Sequence, residues 1–180
     1  EFIAYAKANP GKVNMASAGI GSTPHLAGEM FKTMASVDLF HVPYRGAQVF
    51  PALLTGEAQV YFGPLLSSIE YVRAGSFRAL AVTTTARSPI LPDVPALGET
   101  LPGYEASSWY GLGGPKRTPE EIIERLNKEV NVSIADPKFQ AQFANLGGTA
   151  LGGSPADFAK LISDEVKKWS RVVLAANIKR

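Results

Sequence analysis

The chain contains no cysteine, which removes disulfides, thiolate metal sites and cysteine nucleophiles together. Histidine is scarce as well. His25 and His41 are the only two, and no Asp or Glu stands at a spacing that would make either one a metal ligand or half of an acid–base pair. The expectation is therefore a protein without metal, without cofactor and without catalysis. No apolar run approaches the roughly 20 residues that a membrane-spanning helix needs. The formal charge is only +2, and the basic residues are scattered, with no aromatics interleaved among them. A nucleic-acid partner is not expected from such a pattern. What is present is ordinary: 180 residues, 46% hydrophobic and 19% charged, enough for one good domain or one and a half small ones. The lack of cysteine fits a periplasmic protein. The first residue is Glu1, and "EFIAYAKANPGK" opens as if a helix were already running, so the chain is expected to be a piece of something longer.

Strand and helix alternate at short spacing through the first half. Phe2 to Ala8 reads as helix, closed by "NPG", and "KVNMAS" as a short strand. Thr23 to Ala35 is helical, with Leu26, Met30, Phe31 and Met34 as its apolar stripe. "VDLFHVPY" is a second strand. Gly46 to Leu54 is helical with Pro51 bending it or sitting in its first turn. "AQVYFG" is a third strand, Pro64 to Ala74 a helix ended by Gly75, and "FRALAVTTT" a fourth strand. This alternation predicts a mostly parallel sheet flanked by helices on both faces. A connector rich in proline follows, "RSPILPDVPALGETLPGYEA", with at most one helical turn. "SSWYGLGGP" reads as a fifth strand and "GTALG" as another short one. Three helices begin at "TPEE", "DP" and "SPAD", each with a capping oxygen before Pro, and Thr118 and Ser154 have an acid three residues on to complete a capping box. The last helix is expected to bury Phe158, Ile162, Trp169 and Val173. This second half is too poor in strands to stand as an α/β domain of its own. The chain thus reads as one whole domain plus the returning tail of another.

The stretch "MASAGIGSTPHLAG" places a glycine-rich turn between a strand and a helix. A dinucleotide fingerprint fails there, because Gly19 and Gly21 fit but the third position is Pro24, and Asp38 begins the next strand instead of ending it. A phosphate-binding Gly-Lys-Ser/Thr is absent, and Ser22 lacks the flanking glycines of a nucleophile elbow. An anion-holding role survives. Backbone N–H groups of Gly19, Ile20, Gly21 and Ser22, with the Ser22 and Thr23 hydroxyls, could surround a carboxylate at the positive end of a helix. The plainer alternative is that Thr23 caps its helix through the N–H of His25 or Leu26 while the glycines make a tight turn. A second loop, "HVPYRG", lies at the carboxyl end of the next strand, where open parallel sheets bind ligands. Tyr44 offers a hydroxyl or a wall and Gly46 another backbone donor. Arg45 could pair with a carboxylate, but a lone loop Arg is more often solvated. His41 reads as a packed core histidine; His25 could help hold the anion or simply pack.

The segments "YAKANPGKVNMASAGIGSTPHLAGEMFK", "HVPYRGAQVFPALLTGEAQV", "SFRALAVTTTARSPILPDVPALGE" and "PGYEASSWYGLGGPKRTPEEIIERLN" resemble, in order and spacing, the Bug family. Its members are extracytoplasmic solute receptors of tripartite tricarboxylate transporters, and the resemblance runs through essentially the whole chain. It implies an α/β protein of the type II periplasmic binding architecture, with two lobes joined by crossing strands and a small carboxylate trapped between them. On that basis residues 1–105 form the second lobe, complete, and residues 106–180 the crossing strand and helical return segment of the first lobe. The resemblance implies Ser17, Gly19, Gly21, Ser22, Thr23, Tyr44 and Gly46 as ligand-binding residues, with His25 beside them. It further implies a periplasmic location, membrane transporter subunits as partners, and dimerisation or domain swapping if a lobe is absent. One departure stands at Gly63, where relatives often place an Asp facing the cleft; its loss predicts a plain carboxylate ligand over an amino acid. Two rival readings are a ligand-sensing effector domain of the same architecture and an enzyme acting on a small carboxylate, with Tyr44 or His25 as acid or base.

Overall fold

The computed structural model describes residues 1–178. The chain divides into two compact units, the first running from Glu1 to Ser108 and rejoined by the stretch from Trp169 on, the second comprising Trp109–Lys168. The division falls three residues beyond the expected one at 105/106, and the last helix ends in the first unit instead of staying with the tail.

In the first unit α1 (Phe2–Ala8), β1 (Asn14–Ser17), α2 (Thr23–Ala35), β2 (Phe40–Pro43), α3 (Val49–Leu54), β3 (Val60–Tyr61) and α4 (Leu65–Arg73) follow one another in the expected alternation, with a 3-10 turn at Gly46–Gln48 leading into α3. Pro51 sits in the first turn of α3, where a missing N–H costs nothing. The three strands form one parallel sheet in the order β2-β1-β3. Met15 is level with His41 and Val60, and Ser17 with Pro43.

Alternation along β1 separates two cores. Met15 faces α2 and packs with Ala27, Phe31, Val37 and Leu39. Ala16 faces the other way and packs with Val49, Ala52 and Ala58. The sheet is therefore covered on both faces, as its parallel pairing requires. On α2 the buried residues are Pro24, His25, Ala27, Gly28, Phe31 and Ala35. This corrects the expected stripe of Leu26, Met30, Phe31 and Met34, of which only Phe31 is fully buried. The helix turns its small residues to the sheet because they permit close approach: a side chain at Gly28 would collide with the thioether of Met15. The larger residues flank that contact. Beyond α3, the rings of Phe50, Tyr71 and Phe77 stack at centroid separations of 5.0 and 4.7 Å, which fixes α4 against the second core.

"FRALAVTTT" does not join the sheet. Its only pairing among the described residues is an isolated parallel bridge between Val82 and Ala96, with Thr83 exchanging bonds with Ala106 on the other side. Neither "SSWYGLGGP" nor "GTALG" is a strand among the described residues. A strand exists only with a neighbour to complete its ladder, and these extended segments have none here. The proline-rich connector contains a single 3-10 turn, Leu97–Glu99, pinned by a two-bond pairing of the Arg87 guanidinium with the Glu99 carboxylate at 2.8 Å each.

The second unit holds α5 (Glu120–Ala135), α6 (Pro137–Asn145) and most of α7 (Pro155–Ala175). Two of the three expected caps form. Asp136 accepts from the N–H groups of Lys138 and Phe139. Ser154 and Asp157 make a reciprocal box, each accepting from the other's N–H at 3.1 and 2.9 Å. Thr118 does not cap α5; its hydroxyl donates to the Pro115 carbonyl, and the helix starts two residues later. The Asn131 amide clamps the turn before α7, donating to the Gly153 carbonyl and accepting from its N–H. The expected burial along α7 is corrected too. No residue of α7 is fully buried, and Ile162 is 40% exposed, because among the described residues little covers that face.

Tyr104 closes the first core. Its ring is 2% exposed and its hydroxyl donates to the Ala27 carbonyl at 2.9 Å, tying the connector to α2. Burial pushes its phenol well above the ordinary value, so it stays protonated and donating. Tyr104→Phe is expected to lower stability by about 1 kcal/mol and Tyr104→Ala by about 3–5 kcal/mol, read from urea unfolding midpoints.

Candidate functional site

Because β1, β2 and β3 run parallel, the loops that follow them emerge at one edge of the sheet. The glycine loop leaves β1 after Ser17, and the second loop leaves β2 after Pro43, which is Ser17's register partner. The Tyr44 N–H donates to the Ser17 carbonyl at 2.9 Å, so the two loops start as one hydrogen-bonded pair. Gly19 and Gly21 have φ of +127° and +78°; the first lies in a region that side chains essentially exclude, which is why glycine stands there. The chain then enters α2 with Ser22 as the residue before the helix and Pro24 in its first turn.

The turn is held by its own polar groups. Ser17, with no solvent exposure, accepts the Gly19 N–H at 3.1 Å. The Ser22 hydroxyl donates to the Gly19 carbonyl at 2.6 Å, and the Ser22 N–H to the same oxygen at 3.2 Å. The Gly21 N–H donates to Nδ1 of His25 at 3.0 Å. Of the four loop donors considered from sequence, Gly19, Gly21 and Ser22 thus already have internal acceptors, and only the Ile20 N–H has none among the described residues. The first N–H groups of α2, at Thr23 and His25, also remain without an acceptor there, with the positive end of the helix behind them. Thr23 does not cap the helix: no side-chain cap bond forms. It is half-buried at the mouth of the turn, with its hydroxyl uncommitted.

Beneath the turn lies a cluster that the sequence did not reveal. Ser17 Oγ is 2.7 Å from Nε2 of His41, and the His41 ring stacks on His25 with centroids 3.8 Å apart and planes 14° from parallel. Glu29 approaches the outer nitrogen of His25 at 3.8 Å and takes a 2.9 Å ion pair from Lys32. His41 is level with Met15 on the α2 face of the sheet, with Ser17 one pleat on, and His25 comes down from α2 to meet them. Reading His41 as a packed residue was right in part, since it is half-buried, but its contacts are polar. The legible signal was the alternation Met15, Ser17 on one face opposite a histidine at the matching register.

Tyr44 is placed differently from the expectation. Its ring packs on the α3 face beside Ala16, Val49 and Ala58, and its hydroxyl donates to Glu57 at 2.9 Å, which along with burial raises its pKa. Gly46 has φ +53° and open space around it. Arg45 is exposed. At Gly63, after β3, the space a side chain would take is filled by the ring of Tyr61.

The model of the tripartite tricarboxylate transporter family receptor matches residues 1–178. The chain belongs to this family. It is 38% identical over 97% of its length to the UPF0065 protein in the tcbD-tcbE intergenic region of Pseudomonas sp. strain P51, covering 53% of that protein. It is 33% identical over 96% of its length to BugT of Bordetella pertussis, again covering 53%. Among solved structures, R. palustris Rpa4515 with adipate superposes with a TM-score of 0.93 at 35% identity, over 98% of this chain and 60% of that one. MatC of Rhodopseudomonas palustris, with bound malate, gives 0.84 at 27% identity over 96% and 60%. The chain therefore spans about half the length of these curated relatives. The likeness bears out the mixed α/β architecture of the periplasmic binding type read from the sequence.

The histidine pair sets a pH dependence. Burial, reinforced by the neighbouring His25, holds His41 at about 4, below the usual 6.5; burial also lowers His25, with Glu29 opposing and Lys32 adding to the shift. A depressed folded-state value means the unfolded chain takes up protons first as pH falls. Stability is accordingly full above about pH 6.5 and lost as pH drops toward about 4. Urea midpoints should fall between pH 7.5 and 5, a range above the window of Glu99, whose pairing with Arg87 holds it at about 2. A flat midpoint over that range would contradict the neutral pair.

Proposed function

We propose that the chain is part of an extracytoplasmic, periplasmic receptor that captures a small carboxylate and delivers it to a tripartite membrane transporter. The observation that carries this reading is the glycine turn at the carboxyl edge of the parallel sheet. It offers neutral N–H donors at Ile20, Thr23 and His25, the Thr23 hydroxyl and a helix end, without a fixed cation. Such a site holds an anion through hydrogen bonds and dipoles and releases it again, as delivery demands. Family membership and the carboxylates bound by two solved relatives support it. In this reading the first unit is the ligand lobe and the second unit belongs to the other lobe. Ser17, Gly19, Gly21 and Ser22 shape the turn, Thr23 meets the ligand directly, and Gly46 supplies a donor from the second loop. Tyr44 braces the second loop through Glu57.

The Gly63 position extends the reading to ligand class. An Asp there would need the Tyr61 ring to leave its place, so the edge of β3 presents no acid to pair with an ammonium group. A carboxylate without an amino group is the expected ligand.

One observation favours an enzyme, the 2.7 Å approach of Ser17 Oγ to His41. It resembles a nucleophile and its base. The surroundings argue the other way: Ser17 has no exposure to a substrate, His41 at about 4 is a weak base near neutrality, and the third partner is a stacked histidine instead of an orienting carboxylate.

A thermal-shift and calorimetric screen against mono-, di- and tricarboxylates and acidic amino acids tests the proposal. The expected result is stabilisation by a di- or tricarboxylate, not by its amino-acid counterpart, with no new product by mass spectrometry. Gly19→Ala should weaken that binding at least about ten-fold, because the strained backbone displaces the turn. Tight binding of an amino acid with no matching carboxylate, or turnover of the ligand, would overturn it.

A further inference from the structure

The receptor reading makes no use of the buried pair of histidines, yet one of them holds the site's backbone. His25 is 5% exposed, so its ring does not face the mouth of the turn. Its Nδ1 accepts the Gly21 N–H at 3.0 Å. An acceptor nitrogen has no proton, so His25 carries its single proton on Nε2, toward Glu29 at 3.8 Å. Ser17 is tied in a parallel way. Its hydroxyl accepts the Gly19 N–H, and its own proton has two candidate acceptors, the Gly19 carbonyl at 3.1 Å and His41 Nε2 at 2.7 Å. The Ser17 hydroxyl donates to that carbonyl beside the Ser22 hydroxyl, and the direction of its 2.7 Å bond with His41 follows the His41 tautomer. Both positive-φ glycines of the turn are thus anchored by a side chain that answers to a histidine ring, and the two rings lie face to face at 3.8 Å.

We propose that His25 is a positioning residue: as a neutral acceptor it fixes the Gly21 N–H and with it the shape of the glycine turn, and it does not touch the ligand. Protonation on Nδ1 would set a donor against the Gly21 donor and break the bond. The groups facing His25 among the described residues are His41 from β2, Glu29 and Lys32 on α2 itself, and the Ser17 hydroxyl from β1. Burial opposes a charge on the ring most, Glu29 favours one and Lys32 opposes it, while a charged His25 opposes a second charge on His41. The turn therefore keeps its shape near neutrality and opens on acidification. The consequence for ligand capture rests on the receptor reading; the geometry of the turn does not.

The test reads the turn without ligand. In a 15N-labelled sample of the chain, long-range histidine correlations at pH 7.5 should show His25 as the Nε2–H tautomer. The Gly21 amide should move with the His25 titration as pH is lowered. His25→Asn, whose side-chain oxygen occupies nearly the place of Nδ1 but does not titrate, should keep the Gly21 amide bonded and remove its pH dependence. His25→Leu should release it, with Gly21 exchange about ten-fold faster at neutral pH. An Nδ1–H tautomer, or a Gly21 amide indifferent to both the titration and the leucine variant, would overturn the assignment. Should either variant fail to fold, the wild-type tautomer and titration still decide. Failure of adipate or malate to bind would count against the receptor reading alone, because the Gly21 amide is observed in their absence.

Discussion

A parallel strand pair cannot be closed by a tight turn; each strand must be followed by a crossover that returns over the sheet. In this chain β1 is the central strand of such a sheet, and that one constraint determines where everything else goes. It puts α2 over one face and α3 over the other, and it brings the turns after β1 and β2 out side by side at the carboxyl edge. It also decides the burial of each residue along four positions. Met15 and Ser17 belong to the α2 side, Ala16 to the α3 side, and all three are fully buried. Had β1 been an edge strand, the Ser17 hydroxyl would have had water to satisfy it. At the centre it must find protein partners, and those partners are the glycine turn and His41.

The polar cluster under the turn follows from the same burial. A hydroxyl and two imidazoles inside a covered sheet are costly unless each donor meets an acceptor. Here Ser17 meets Gly19 and His41, and His25 accepts from Gly21 with Glu29 3.8 Å from its other nitrogen. Because the hydroxyl and both imidazoles are neutral, the network stiffens the turn without placing a counter-charge next to it. The N–H groups at the mouth of α2 keep the positive end of the helix behind them, with no bond to a carboxylate among the described residues. The nearest acid in the cluster, Glu29, is already paired with Lys32.

The order of elements in the first half was legible because each signal was local. Proline inside the first turns of α2 and α3, the glycines between β1 and α2 and the glycine after α4 need no knowledge of distant partners. The place of the glycine turn was legible for the same reason: glycines after a strand and before a helix occupy the carboxyl edge in any parallel sheet. Side-chain contacts were not local and were not foreseen. The Tyr44 hydroxyl donates to Glu57, thirteen residues on. Gly21 looked like a free donor until His25, on the next turn of the chain, proved to be its acceptor. The face of α2 was misjudged because periodicity marks the largest apolar residues, whereas close packing on β1 selected the small ones, Ala27, Gly28 and Ala35.

The strands read at 77–85 and 107–115 failed for a different reason. Their composition suits extended structure, but residues 83–85 are bends and neither segment is a strand among the described residues. Composition, however, describes one strand, and a ladder is a property of two. Val82 and Thr83 find Pro95, Leu97 and Ala106 to bond with, which is enough for a bridge and no more. Tyr110 and Leu112 remain 75% and 65% exposed, apolar groups on a backbone whose donors and acceptors have no ladder among the described residues. β-branched and aromatic residues are favoured in strands because of what they pack against. Where the described residues supply nothing to pack against, the preference is real and the strand does not form. These two segments have the side chains of sheet strands, while the pairing that would make them so is not supplied by the residues described.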